Sequence, residues 1–322
     1  MRTKSLLVGT AHSETPSSKR WWIYQRERFP ILAHSPVILA FSLSAISYSA
    51  LLRGAETLPG WQPCAVAFLS SVLSFLQLRL ADEFKDFEED SRYRPYRPVP
   101  RGLVTLRELG WVWIGCIAVQ LALCLWLKPR LLVLLAITWL YLGLMTKEFF
   151  ARRWLKARPV VYMVSHMGIL PLVDFYATGC DWASIGYLRP PAGLLWFLPV
   201  SFLNGMVVEI GRKIRSPQDE ETGVETYSFL WGRRRAVLVW LAIMMATAAL
   251  AYMAAREIRF GLPEVGILSA AIAIAGGFAY GFLRRLGSGQ GKHLETMAGG
   301  WSLVLYLSLG VLPLALRFWR WN

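Results

Sequence analysis

Leu80-Ala81-Asp82-Glu83-Phe84-Lys85-Asp86-Phe87-Glu88-Glu89-Asp90 runs straight into Arg92, Arg94-Pro95-Tyr96-Arg97-Pro98 and Pro100-Arg101-Gly102. Asp82, Asp86 and Asp90 recur every four residues, a period that on one helix keeps three carboxylates near one face, neighbours about 6 Å apart. Three like charges so close destabilise a helix unless a cation joins them. Mg²⁺ takes carboxylate oxygens and bridges them to substrate phosphates. The arginines that follow present the forked donors that suit phosphate. Carboxylates for a metal beside guanidiniums for an anion describe a diphosphate site. The bland alternative is a charge-rich loop whose opposite charges neutralise one another in water.

The setting of this stretch decides between the two. Aliphatic and aromatic residues make up 55% of the 322, only 17% are charged, and the mean hydropathy is +0.40. That is the composition of an integral membrane protein. The formal charge of +14 does not mark a nucleic-acid binder, because the Lys and Arg residues sit in short loops beside apolar spans and match anionic headgroups. Cys64, Cys116, Cys124 and Cys180 show no CxxC or Cys/His spacing, so neither a disulfide framework nor a zinc site is expected.

A bilayer core needs about 20 mostly apolar residues per helix. Nine stretches qualify, near 31–52, 61–81, 109–127, 131–146, 159–178, 192–210, 236–255, 264–283 and 297–316. The expected fold is therefore an all-α polytopic bundle over residues 31–322, preceded at 1–30 by a disordered basic tail and an interfacial anchor at Trp21, Trp22 and Tyr24. Thr105-Leu106-Arg107-Glu108 is a capping-box signature, and Pro159 suits the first turn of the fifth span.

With nine spans, the tail and the loops after spans two, four, six and eight share one side. They carry 26 of the 35 Lys and Arg; Arg79 lies within a span, and Arg53, Lys128, Arg130, Arg189, Arg256, Arg259, Arg317 and Arg320 fall opposite. The positive-inside rule then places the N-terminus and the charged loops in the cytoplasm, with the bilayer being the cell membrane.

After span six, Glu209 precedes Arg212, Lys213, Arg215, Asp219, Glu220 and Glu221. This second mixed-charge loop leaves its helix four spans after the first, so the two can face each other over one pocket. The loop from Lys147 to Arg158 reads mainly as topology determinants, with Lys156 or Arg158 within reach of a phosphate. Asp174, at membrane depth, is a pocket candidate; His166 reads as a packing residue.

The run from Asp82 to Gly102 resembles the first signature of the UbiA superfamily of intramembrane prenyltransferases, an Asp-rich motif followed by RPxRPxPxG. Asp86, Asp90, Arg94 and Arg97 match it, and Asp82 stands where the family usually has Asn. Asp219 to Thr226 resembles the end of the second signature, with Asp219 on its final Asp; the earlier Asp falls on Arg215. The resemblance implies Asp82, Asp86, Asp90 and Asp219 as catalytic and Mg²⁺-binding residues. Arg94, Arg97, Lys156, Arg212 and Arg215 are then the diphosphate contacts. It also implies transfer of an isoprenyl group from its diphosphate to an aromatic or lipid-type acceptor. A terpene cyclase of the same fold is the nearest alternative, and a transporter or membrane scaffold the alternative of another class. An arginine at 215 would repel a second metal ion, and with Arg212 it would carry that ion's charge instead.

Overall fold

A computed structural model describes residues 17–285 and 287–319. Among these residues there is no strand, and nine helical segments are long and apolar enough to span a bilayer. In chain order the helices are α1 (Ser17–Arg28), α2 (Ile31–Leu52), α3 (Trp61–Lys85), α4 (Phe87–Tyr93), α5 (Leu106–Leu127), α6 (Leu132–Thr146), α7 (Arg152–Lys156), α8 (Pro159–Met167), α9 (Ile169–Trp182), α10 (Leu194–Arg212), α11 (Tyr227–Trp231), α12 (Arg233–Glu257), α13 (Gly261–Arg284), α14 (Gln290–Leu309) and α15 (Val311–Trp319). α8 with α9, and α14 with α15, each make one bent span.

The sequence signals account for the helix ends. Thr105 Oγ1 accepts from the Glu108 N–H at 3.2 Å while Glu108 Oε2 accepts from the Thr105 N–H at 2.8 Å, closing the capping box that starts α5. Pro159 occupies the first turn of α8, where its missing N–H is not needed.

α2, α3, α9, α10, α12, α13 and α14 close a ring, with α5 and α6 outside α3 and α9. α2 and α10 are 67% and 61% buried over their apolar windows, against 22% for α5, so the first two are walls of the interior and the last turns its apolar face to lipid. Polar groups inside the span are bonded across helices, since no water is there to bond them. The Tyr48 hydroxyl donates to the Ala254 carbonyl at 2.9 Å, and Trp139 Nε1 donates to Gln120 Oε1 at 2.9 Å. At the end opposite the acidic stretch, Arg53 makes a two-pronged pair with Asp181 at 2.9 and 2.7 Å, fixing α2 to α9. Gly211 lets α10 approach α14: a Cβ there would come within 2.7 Å of the Ala298 methyl.

The N-terminal region departs from expectation. Residues 1–16 of the expected tail lie outside the described residues, but from Ser17 the chain is helical. Tyr24 is buried with Leu80, Val99, Val104 and Leu109 in a small second core, so it is no lipid-facing anchor, whereas Trp22 stays exposed. Arg28 pairs with Glu83, and Arg20 pairs with Glu108 at 2.5 Å. α1 thus braces the base of the acidic stretch.

Candidate functional site

The helix that carries the first carboxylates does not continue through all three. α3 ends at Lys85, Asp86 takes φ −98° and ψ 4°, and α4 starts afresh at Phe87. This break corrects the reading of one shared face. Asp90 is 3% exposed and clasped by Arg94 Nη1 at 3.2 Å and Arg97 Nη1 at 2.5 Å. Pro95 and Pro98 turn the chain back over α4, with Arg97 N–H bonded to the Arg94 carbonyl at 3.0 Å. Asp90, Arg94 and Arg97 therefore lock one another. They shape the loop, and Arg94 and Arg97 keep 19% and 21% of their side chains open.

Asp82 and Asp86 differ. Asp82 sits at long range from Arg79 (3.4 Å) and Lys85 (3.3 Å), with 34% of its side chain open. Among the described residues the half-buried Asp86 carboxylate has no ion-pair or hydrogen-bond partner. Burial, and then the charge of Asp82, push its pKa up to about 6 despite Lys85. No three His, Cys, Asp or Glu side chains form a ready metal cage among the described residues. Two adjacent carboxylates with open faces nevertheless fit Mg²⁺, which completes its shell with water and substrate phosphate.

The loop after α6 lies against this stretch. Glu148, Phe149 and Phe150 have φ of 49°, 52° and 57°, a left-handed turn of three non-glycine residues. Such a turn costs of order 1–3 kcal/mol per residue and persists only where packing fixes it. It buries Glu148, which pairs with Arg152 at 3.1 Å, and Arg152 Nη2 donates to the Lys85 carbonyl at 3.1 Å. Lys156 is paired with Glu89, so this expected phosphate contact is engaged by the acidic stretch itself.

Opposite, the end of α10 supplies cations. Arg212 and Lys213 both pair with Glu209, at 2.5 and 2.8 Å, yet keep 41% and 38% of their side chains open. Lys85, Arg79 and Arg212 are the charges that act most on Asp82. The loop beyond is tied down: Glu220 accepts from Thr226 (2.7 Å) and Ser228 (2.8 Å), and the Arg215 N–H donates to Ser228 Oγ at 2.8 Å. It also meets the first loop. Tyr96 donates to Glu221 at 3.1 Å, and Gly223, at φ +78°, lies so close to Tyr93 that a Cβ would overlap the ring.

Two expected site residues are placed elsewhere. Asp219 accepts from Ser288 Oγ at 2.5 Å and the Gly289 N–H at 2.7 Å, bonds that hold its pKa below the usual carboxylate range. It anchors the turn into α14 and is not gathered with Asp82. Arg215 lines one cavity with Arg212, Asp219, Glu220, Glu221 and Lys292. Of the sequence candidates, the structure brings together Asp82, Asp86 and Arg212.

Residues that were passed over join them. Tyr162 accepts from Lys85 Nζ at 3.4 Å, and the His166 ring stacks on Tyr162 at 3.9 Å. His166 Nδ1 lies 2.8 Å from the Tyr162 carbonyl, which only accepts, so the proton is on Nδ1 and the buried, unpartnered Nε2 carries a lone pair. The i, i+4 spacing of Tyr162 and His166 was the available signal. Asp174 is 0% exposed with neither oxygen bonded, deep among Ser201 and Tyr306.

Comparison with known proteins bears on this geometry. A UbiA homologue from Aeropyrum pernix K1 superposes with a TM-score of 0.61 at 16% identity, over 89% of this chain and 98% of the other. A structure of digeranylgeranylglyceryl phosphate synthase gives 0.60 at 14% identity, over 92% and 99%. A UbiA homologue from Archaeoglobus fulgidus bound to DMAPP and Mg²⁺ gives 0.56 at 14% identity, over 89% and 98%. At these identities the likeness establishes the fold. No curated protein matches by sequence. The family model for UbiA prenyltransferases matches residues 42–293, from α2 through both charged loops to α14, and the chain belongs to that family.

Proposed function

We propose that the protein is an intramembrane prenyltransferase that moves an isoprenyl group from its diphosphate, with Mg²⁺, to a hydrophobic or aromatic acceptor. The observation that carries this reading is the Asp86 carboxylate, without a partner among the described residues, beside Asp82 at the end of a membrane helix, with the open cation Arg212 acting on Asp82. The Archaeoglobus homologue that holds DMAPP and Mg²⁺ supports it.

Asp82 and Asp86 would hold the metal, which neutralises charge on the departing diphosphate. Arg212, Lys213 and Lys85 donate to diphosphate oxygens as that charge grows. The isoprenyl chain lies among the apolar helices, which keep water from the allylic cation left when the C1–O bond breaks. The acceptor then bonds to C1, and the proton it loses leaves with the released diphosphate. In this reading the site opens to the cytoplasm, following the distribution of Lys and Arg.

Incubation of membranes containing the protein with labelled geranylgeranyl diphosphate and Mg²⁺ tests the proposal. A labelled, prenylated acceptor is expected. A free cyclic hydrocarbon would indicate a cyclase, and an unchanged donor would end the enzymatic reading.

A further inference from the structure

The acids of the two loops are almost all engaged. Asp90 is held by Arg94 and Arg97, Glu83 by Arg28, Glu89 by Lys156, and Glu209 by Arg212 and Lys213. In the second loop Asp219 is bonded to Ser288 and Gly289, Glu220 to Thr226 and Ser228, and Glu221 to Tyr96. Of the acids without such a partner among the described residues, Glu88 and Glu225 are exposed and only Asp86 is half-buried. Asp82 meets Arg79 at 3.4 Å and Lys85 at 3.3 Å but keeps 34% of its side chain open, so Asp82 and Asp86 are the pair the first loop offers a metal.

The end of α10 adds two cations, Arg212 and Lys213, against one carboxylate, Glu209. Counting the ends of α3 and α10, and leaving aside the neutral Arg28–Glu83 pair, Arg79, Lys85, Arg212 and Lys213 stand against Asp82, Asp86 and Glu209, an excess of one positive charge. One divalent ion raises the excess to three, which matches the roughly three negative charges of an isoprenyl diphosphate; a second ion would leave two charges unmatched in a site of low dielectric.

Resting on the prenyltransferase reading, we infer that this site takes its diphosphate with a single divalent cation, on Asp82 and Asp86, and that Arg212 and Lys213 occupy the place of a second. The arginine keeps its charge at any working pH, so donor binding depends on one metal equilibrium rather than two.

Counting bound Mn²⁺ tests this without turnover. Purified protein is titrated with Mn²⁺ and an unreactive geranyl thiodiphosphate, and free Mn²⁺ is read by electron paramagnetic resonance. One ion per chain is expected. Lys213→Gln should weaken binding of the thiodiphosphate tenfold or more while the count stays at one, since a charge-assisted contact is lost. Two ions on the unaltered protein, or a Lys213→Gln affinity equal to the parent's, would overturn the inference and leave the prenyltransferase reading intact. No Mn²⁺ retained with the thiodiphosphate would defeat both. The count is made on the unaltered chain and so does not depend on any variant folding.

Discussion

Asp90 looks like a third metal ligand when positions are counted along an ideal helix. Counting cannot show that the chain changes direction at Asp86 or that two prolines fold Arg94 and Arg97 back onto the carboxylate. The consequence is measurable. Asp90→Asn should lower stability by about 1–3 kcal/mol, because two half-open arginines lose their anion, and thermal unfolding in detergent should show the drop. Its donor KM should rise through disorder of the loop while one Mn²⁺ still binds; loss of that ion would return Asp90 to the metal. Arg215 is the opposite case. A motif alignment marks it because it replaces a carboxylate, and the structure sets it in one cavity with Arg212, Asp219 and Lys292. Because Arg212 and Lys213 carry the charge in this reading, Arg215→Ala should keep kcat/KM for the donor within about twofold, whereas loss of a direct diphosphate contact would cost on the order of ten- to a hundred-fold.

Among elements, what was legible in the sequence is what local chemistry settles. The Thr105–Glu108 capping box and the entry of α8 at Pro159 follow from residues within one turn of each other, and the span positions from unbroken apolar runs of about 20 residues. The docking of α1 on the acidic stretch and the left-handed turn at Glu148–Phe150 rest on partners far along the chain, and no window of sequence contains them. The meeting of the two loops lies between these cases: their shared side was readable, but the contacts were not. Gly223 tests the meeting. Its φ of +78° and its closeness to Tyr93 leave no room for a methyl group. Gly223→Ala should push the second loop away from the first, raising the donor KM several-fold with little change in global unfolding. A KM equal to the parent's would show that the loops act independently.

At the scale of the molecule, the nine-span bundle was readable because composition and charge alternate along the whole chain, while the order in which helices pack was not. The account places both charged loops in the cytoplasm. Cysteines at the exposed positions Ser91 and Gln218, in a chain lacking Cys64, Cys116, Cys124 and Cys180, should react with a membrane-impermeant thiol reagent only in inside-out vesicles. Labelling of sealed right-side-out vesicles would reverse the orientation. The central claim is that Asp86 and Asp82 hold the metal on which diphosphate departure depends. It is met most directly by measuring Mg²⁺-dependent release of inorganic diphosphate from an isoprenyl diphosphate by the parent, Asp82→Asn and Asp86→Ala. The account predicts release that requires Mg²⁺, is reduced in Asp82→Asn, and is abolished in Asp86→Ala with membrane insertion and unfolding unchanged. Near-parental release by Asp86→Ala would contradict it.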